Sequence, residues 1–426
     1  MKEIKISVKQ IIISGNSFRG VQKNREIEII EEIKTPKKSK SIDEFPKIPN
    51  YNTVRQWLGR IGLYELQRQK EKRVDRTWII DLTLELGTEK CLVILGVSAK
   101  HLSEKVWGEE RGLNHHDVEV LHIEIMKSTR GELIVEVLQE ITKKVGKPRQ
   151  IISDKGSDLY KGIKLYREQN PEVIYTYDIT HQLALLCKKE LKTDEIYQSY
   201  LKRCHQCRLQ LQQTELAFLR PPAQRSKSRY LNLDELINWG KKTLLYLRKE
   251  EKLELNSSSD KSKNSQLKSQ LGWLSSYESA LTTWQQMLTM SRGIETQLKK
   301  FGLHQQSLLE FKQKFPAVLF SSRLNNFREE IIKYLEKETD VIQPQNPLLA
   351  SSDIIESIFG KYKFFSQRSP LKQLRRIILI IPLSTIDLNR DFIKEALENI
   401  NNTQLKQWEE NLFGQSMLSK RRILLV

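Results

Sequence analysis

Residues 77–87 read TWIIDLTLELG, a run of β-branched and apolar side chains with a carboxylate, Asp81, in its middle. Such a run predicts a strand, and a charged group inside a strand is costly unless it is paired or binds a metal. Two more apolar stretches follow closely, KCLVILGVSA (90–99) and EVLHIEIMK (119–127), and their spacing predicts an antiparallel meander. The next segment, STRGELIVEVLQEITKKVG (128–146), predicts a helix with Leu133, Val137, Leu138 and Ile141 on one face, ended by Gly146 and Pro148. RQIISD (149–154) is a short buried strand with Asp154 at its end. A helix through Leu159 to Tyr166 and a last strand, EVIYTYD (172–178), complete the series. Three strands, helix, strand, helix, strand is the order of an α/β domain built on a mixed sheet with helices against its faces.

Beyond this core the pattern changes in both directions. Downstream, strand signals thin out, and DEIYQSYLKRCHQCRLQLQQTELAFL (194–219) and LNLDELINWGKKTLLYLRKEEKLEL (231–255) predict helices. NSSSDKSKNSQ (256–266) predicts a polar loop between helices of an all-helical insertion. SSDIIESIFGKYKFF (351–365) follows. There Ser352 or Asp353 can cap a helix whose apolar positions are Ile354, Ile355, Ile358 and Phe359, with Glu356 between them. Upstream, one helix is expected over Ser17–Ile33. A second, capped by Asn52 or Thr53, is expected to run through Val54, Trp57, Leu58 and Ile61 and to stop at Gly62. With Arg55 and Arg60 exposed, the second helix fits a helix-turn-helix reader of DNA, or else an amphipathic helix docked on the body. Four regions result: 1–70, helix-turn-helix-like; 71–181, the first part of the α/β domain; 182–349, the helical insertion; and 350–426, the Glu356 helix with a basic tail.

The chain has 426 residues and a net charge of +18, a balance that points to a polyanionic partner such as nucleic acid. Residues 1–76 carry a net +8 and 357–426 a net +6, leaving +4 for everything between. A basic terminal run, Lys361, Lys363, Arg368, Lys372, Arg375 and Arg376, is suited to gripping phosphates with a salt-sensitive affinity. The most apolar stretch, Ile377–Leu383, is far shorter than the roughly 20 residues of a spanning helix. The N-terminus lacks signal-peptide architecture, and four Cys in so long a chain make no disulfide framework. A cytoplasmic, nucleoid-associated protein is expected.

Asp81, Asp154 and Glu356, brought together on one sheet and its helix, would form an oxygen-rich site suited to Mg²⁺ or Mn²⁺. Two such ions can activate a water or hydroxyl nucleophile and stabilise the leaving oxygen at a phosphodiester. Each acid also has an ordinary structural alternative: an ion pair for Asp81, turn chemistry for Asp154, and dipole complementation for Glu356. Asp158, Glu329 and Glu330 are the rival carboxylates.

WIIDLT, IISDKGSD and DIIESIFGKYK together resemble the Asp-Asp-Glu triad of RNase H-like transposases of bacterial insertion sequences. The 202 positions between Asp154 and Glu356 match that family's habit of placing a helical insertion there. YDITHQLA resembles the element that many of these enzymes carry after the fifth strand, which makes Asp178 and His181 accessory candidates. NTVRQWLGRIGLYEL is similar to the segment preceding their catalytic domain. The resemblance implies a Mg-dependent DNA transposase that cuts at element ends and joins the freed 3′-hydroxyl to target DNA, working on double-stranded DNA as a homodimer or larger assembly. Two rival readings keep much of this pattern: a catalytically inactive or domesticated DNA-binding descendant, and an RNase H-like nuclease acting on RNA or a hybrid.

Three further features bear on function. His181 either contacts phosphate or orients the carboxylates, or Asp178 simply caps a helix against which His181 packs. Cys204 and Cys207 in CHQC share a helical face, but a structural zinc site needs four ligands. Trp239, Trp273 and Trp284 can stack on an extruded base or build a helical core.

Overall fold

The computed structural model describes residues 1–34, 47–84, 90–223, 233–256, 261–342, 347–368 and 375–425. The chain divides into two compact units, Met1–Thr176 with Ser351–Val426, and Tyr177–Ala350.

The first unit opens with α1 (Lys2–Ile12), α2 (Phe18–Lys34) and α3 (Tyr51–Gln67). The sequence reading missed α1, matched α2 to within one residue at each end, and misplaced the bounds of α3. Asn50, not Asn52 or Thr53, caps α3 by accepting from the Asn52 amide at 2.9 Å. Gly62 does not end the helix, which continues to Gln67. A Cβ at Gly62 would lie 2.6 Å from the Leu379 carbonyl oxygen, so this glycine permits a close backbone approach.

β1 (Arg76–Leu84), β2 (Lys90–Ser98), α4 (Ala99–His101), β3 (Glu119–Met126), α5 (Gly131–Val145), β4 (Gln150–Ser153), α6 (Ser157–Gln169) and β5 (Ile174–Tyr177) follow. The five strands form one mixed sheet in the order β3-β2-β1-β4-β5. β1 pairs antiparallel with β2 from Arg76↔Ser98 to Leu84↔Lys90. β2 pairs antiparallel with β3, with an irregularity at Ile94/Leu95. β1 pairs parallel with β4, Thr77↔Gln150, Trp78↔Ile151 and Ile79↔Ile152, because the α5 crossover returns the chain in the same direction. One sheet face is sealed by a core of Trp78, Ile80, Leu92, Ile94 and Ile151 with side chains of α5 and α6. In α5 the buried face is Ile134, Leu138, Ile141 and Val145, whereas Leu133, expected inside, is 39 % exposed. The true stripe starts one residue later, in step with the buried Gly131.

The second unit, described by itself, is helical: α7 (Ile179–Lys192), α8 (Glu195–Leu211), α9 (Leu233–Asn256), α10 (Lys261–Leu271), α11 (Glu278–Phe301), α12 (Ser307–Lys314) and α13 (Ser322–Thr339). α10 begins inside the stretch read as a polar loop, so Lys261–Gln266 are helical. The core is aromatic. Tyr197 and Tyr200 pack on Trp284 at centroid distances of 5.2 and 5.3 Å, and Trp273 and Tyr277 adjoin Tyr200.

The chain then returns to the first unit through α14 (Asp353–Ser366), a 3₁₀ turn over Arg376–Leu379, α15 (Ile380–Leu383), α16 (Arg390–Asn399), α17 (Asn402–Phe413) and α18 (Met417–Leu425). The apolar stretch at 377–383 is the heart of a second core. Ile380, Leu383, Leu388 and Ile393 pack with Val8, Ile11, Val54, Leu58 and Ile61. The N-terminal and C-terminal regions, which carry most of the chain's excess positive charge, thus share one helical layer. No helix among the described residues is long and apolar enough to cross a membrane.

Candidate functional site: two aspartates on one sheet face beside a glutamate helix

The register fixes the geometry. Thr77 faces Gln150 and Ile79 faces Ile152 on the parallel pair β1 and β4. The Thr77 hydroxyl donates to Gln150 Oε1 at 3.0 Å, which locks the pairing from the side chains as well. Continuing two residues past Ile79 and Ile152 brings Asp81 and Asp154 abreast on adjoining chains, which in a sheet lie about 4.8 Å apart. Side chains alternate along a strand, so both aspartates belong to the face opposite Trp78 and Ile80. α14 packs against β1 and contributes nothing to the core on the Trp78 face, so it covers the face that the aspartates share. Glu356 stands in its first turn, exposed, between the buried pairs Ile354–Ile355 and Ile358–Phe359.

Local backbone bonds orient the aspartates. Asp81 Oδ1 accepts from the Leu82 amide at 2.7 Å. Asp154 Oδ1 accepts from the Gly156 amide at 3.0 Å, and the Asp154 carbonyl accepts from the Ser153 hydroxyl at 2.8 Å. The turn chemistry foreseen for Asp154 is therefore real, and one oxygen suffices for it. These are hard oxygen donors of the kind Mg²⁺ and Mn²⁺ take. Among the described residues, however, no three His, Cys, Asp or Glu side chains stand close enough together to hold a metal ion. The site is a pair of aspartates with a glutamate helix laid beside it, not a closed cage.

The rival acids are occupied elsewhere. Asp158 accepts from Thr129 at 2.8 Å. Glu329 pairs with Arg328, and Glu330 with Lys189 and Lys333, all in the helical unit. Asp178 and His181 also belong to that unit. Asp178 is fully buried and caps α7 by accepting from the His181 amide at 2.8 Å, while His181 Nδ1 lies 3.4 Å from the same oxygen.

One neighbour went unnoticed in the sequence. His115 Nε2 sits 2.9 Å from the Ser357 hydroxyl, one position after Glu356. Burial first, then Lys361 and His116, push the imidazole below its usual pKa, and burial pushes the Lys361 ammonium down as well. No local motif surrounds HHD (115–117); only the fold brings it to α14.

The basic residues divide into two groups. Arg60, expected to be exposed, is half-buried. Its Nε donates to the Ile400 carbonyl at 2.5 Å and its Nη2 to that of Leu397, which satisfies carbonyls at the end of α16. Arg375 and Arg376 both bond Glu409, which is 5 % exposed. Lys363 lies over Phe359, and Arg368 stacks 3.8 Å from the Phe364 centroid. Arg55 is exposed and Lys361 half-buried; Lys372 lies outside the described residues. α3 packs against α1, α2, α15, α16 and α17 and leaves Asn52, Arg55 and Gln56 exposed.

Cys204 and Cys207 are buried beside Tyr200 and Trp273, with their thiols pushed up to about 12 and about 11 by burial. Trp239 and Trp273 donate to the Leu219 and Gln270 carbonyls at 2.9 and 3.0 Å, as core residues with satisfied polar ends do.

No protein-family model matches the chain, and none of the curated proteins does. Among solved structures it is similar to a chain of the Drosophila P element transposase strand transfer complex, with 12 % identity, a TM-score of 0.37, and coverage of 89 % of this chain and 90 % of that one.

Proposed function

We propose that the protein is a DNA transposase of the RNase H-like kind, in which Asp81, Asp154 and Glu356 carry metal-dependent cleavage and strand transfer. What supports this reading is the sheet register: continued two residues past Ile79 and Ile152 it would set Asp81 beside Asp154, and α14, which packs on β1, carries Glu356 in its first turn. A five-stranded mixed sheet in the order β3-β2-β1-β4-β5, with β1, β2 and β3 antiparallel and β4 parallel to β1, is consistent with this reading. When bound, two Mg²⁺ ions would activate the attacking oxygen and stabilise the leaving one. Asp81 and Asp154 would hold them from β1 and β4, and Glu356 would complete the set from the helix. Exposed Arg55, Lys363 and Arg368, with Lys361, would grip the DNA backbone, while Arg60, Arg375 and Arg376 serve the fold. Pairing of two ends would require a dimer or larger assembly.

A second reading, a catalytically silent DNA-binding descendant, is favoured by one observation: the three acids do not form a ready cage among the described residues. Joining assays separate the two. A labelled duplex ending in the DNA that flanks the gene, with a free 3′-hydroxyl, should be joined to plasmid in Mg²⁺ by the intact protein and not by Asp81→Ala, with both proteins binding the duplex equally. Equal binding without joining by either protein would leave the silent descendant as the answer, and joining by Asp81→Ala would remove the triad.

A further inference from the structure

The first unit contains a cavity of 660 Å³ formed by α2, α3, the end of α14, the 376–379 turn and the C-terminal helices. Among the described residues six arginines line it, Arg19, Arg55, Arg368, Arg375, Arg376 and Arg422, against one carboxylate, Glu409. Glu409 is already shared by Arg375 and Arg376. Among the described residues Arg19, Arg55, Arg368 and Arg422 form no salt bridge with a carboxylate. Arg19 lies over the Tyr51 ring and Arg368 over Phe364, so both guanidiniums are held in place by flat aromatic faces. The remaining wall is apolar, with Phe18, Tyr51, Leu58, Phe365, Ile377 and Leu418.

Arginines that converge without carboxylate partners offer donors to an anion, and guanidinium matches phosphate by paired hydrogen bonds. The volume lies within the range of small-ligand sites, about 300–1,000 Å³. A single nucleotide fits a space of that volume. A terminal phosphate also carries nearly two charges, against one for an internal phosphodiester. We infer that this cavity binds a nucleotide-sized phosphomonoester, with its phosphate on the unpaired arginines and its base against the aromatic and apolar wall. Such a group has two sources, the 5′-phosphorylated end of a nucleic-acid strand or a free nucleotide. The inference goes beyond the proposed metal chemistry, since none of Asp81, Asp154 and Glu356 lines the cavity, and it gives Arg55 and Arg368, proposed above to grip DNA, a more specific ligand.

The test uses the full-length protein in EDTA, so that cleavage plays no part. Binding is measured for a short single strand with a 5′-phosphate, the same strand with a 5′-hydroxyl, and a nucleoside monophosphate. The strand-end source predicts that the 5′-phosphate strengthens binding at least tenfold. The free-nucleotide source predicts saturable binding of the monophosphate with no such preference between strands. In either case Arg55→Ala and Arg422→Ala should each weaken the preferred ligand about tenfold or more without shifting the melting temperature, since neither side chain is paired in the fold. Absence of both a 5′-phosphate preference and monophosphate binding would overturn the inference, as would binding unchanged by both arginine variants.

Discussion

Gly62→Ala offers a sharp test of how the N-terminal and C-terminal regions are joined. In an exposed helix the exchange is favourable by about 1 kcal/mol. At Gly62 the new Cβ would meet the Leu379 carbonyl oxygen at 2.6 Å and the Leu379 Cβ at 2.7 Å. These atoms belong to the backbone, or stand directly on it, in a turn whose Leu379 is fully buried, so no side-chain rotation relieves the clash. Overpacking of this kind costs about 1–3 kcal/mol, and with backbone as the obstacle we place it at the upper end. The net expectation is a loss of about 1–2 kcal/mol, or about 2–8 °C in melting temperature for a unit of this size. Gly360→Ala is the control. It lies in α14, is exposed, and its Cβ would meet nothing within 4 Å, so the helix term alone should raise stability by about 1 kcal/mol. Thermal melts followed by circular dichroism compare the two variants with the parent. A Gly62→Ala protein as stable as the parent would refute the close packing of α3 on the 376–379 turn.

Other predictions follow from the buried charges and thiols. Glu65 is fully buried and held by Lys70 and by Arg68, with Arg68 and Arg76 continuing to Glu119. Lys70→Met should therefore cost about 3 kcal/mol, seen as an earlier urea midpoint. The carboxyl of Glu409 is held below its usual value of 4.5, burial opposing the shift and Arg376 and Arg375 driving it. The stability this supplies is complete above pH 4.5 and is lost as pH falls through the folded-state pKa. The melting-temperature advantage of the parent over Glu409→Gln should then shrink below pH 4.5, and a gap constant down to pH 3 would contradict it. Burial raises the thiols of Cys187, Cys204 and Cys207 to about 12, 12 and 11. A disulfide reagent at pH 8 should thus leave them unmodified until denaturant is added, and rapid labelling of the native protein would place them at the surface.

The sheet was legible because each strand announces itself: β1 and β2 by long apolar runs, β4 by its brevity before Asp154. Alternation then sufficed to set Asp81 and Asp154 on one face once the register was known. Helix boundaries were less legible where packing overrides local signals. Gly62 carries the mark of a helix stop, yet its lack of a side chain serves a neighbour more than three hundred residues away. Arg60 and Arg375 look like phosphate ligands in the sequence, and their partners, the 397–400 carbonyls and Glu409, are supplied only by the fold. α1 was missed since its buried positions, Ser7, Val8, Ile11 and Ile12, include a polar residue that breaks the apolar stripe. His115 could not be read at all, because its link to Ser357 spans 242 positions.

The most direct test of the central claim is single-turnover cleavage of an end-labelled duplex carrying the DNA that flanks the gene, in Mg²⁺ and in EDTA, by the intact protein and by Glu356→Gln. The account predicts cleavage only by the intact protein and only with Mg²⁺, with both proteins binding the duplex alike. Cleavage that survives in Glu356→Gln would contradict the choice of the third acid, and cleavage that survives in EDTA would contradict the metal-dependent chemistry itself.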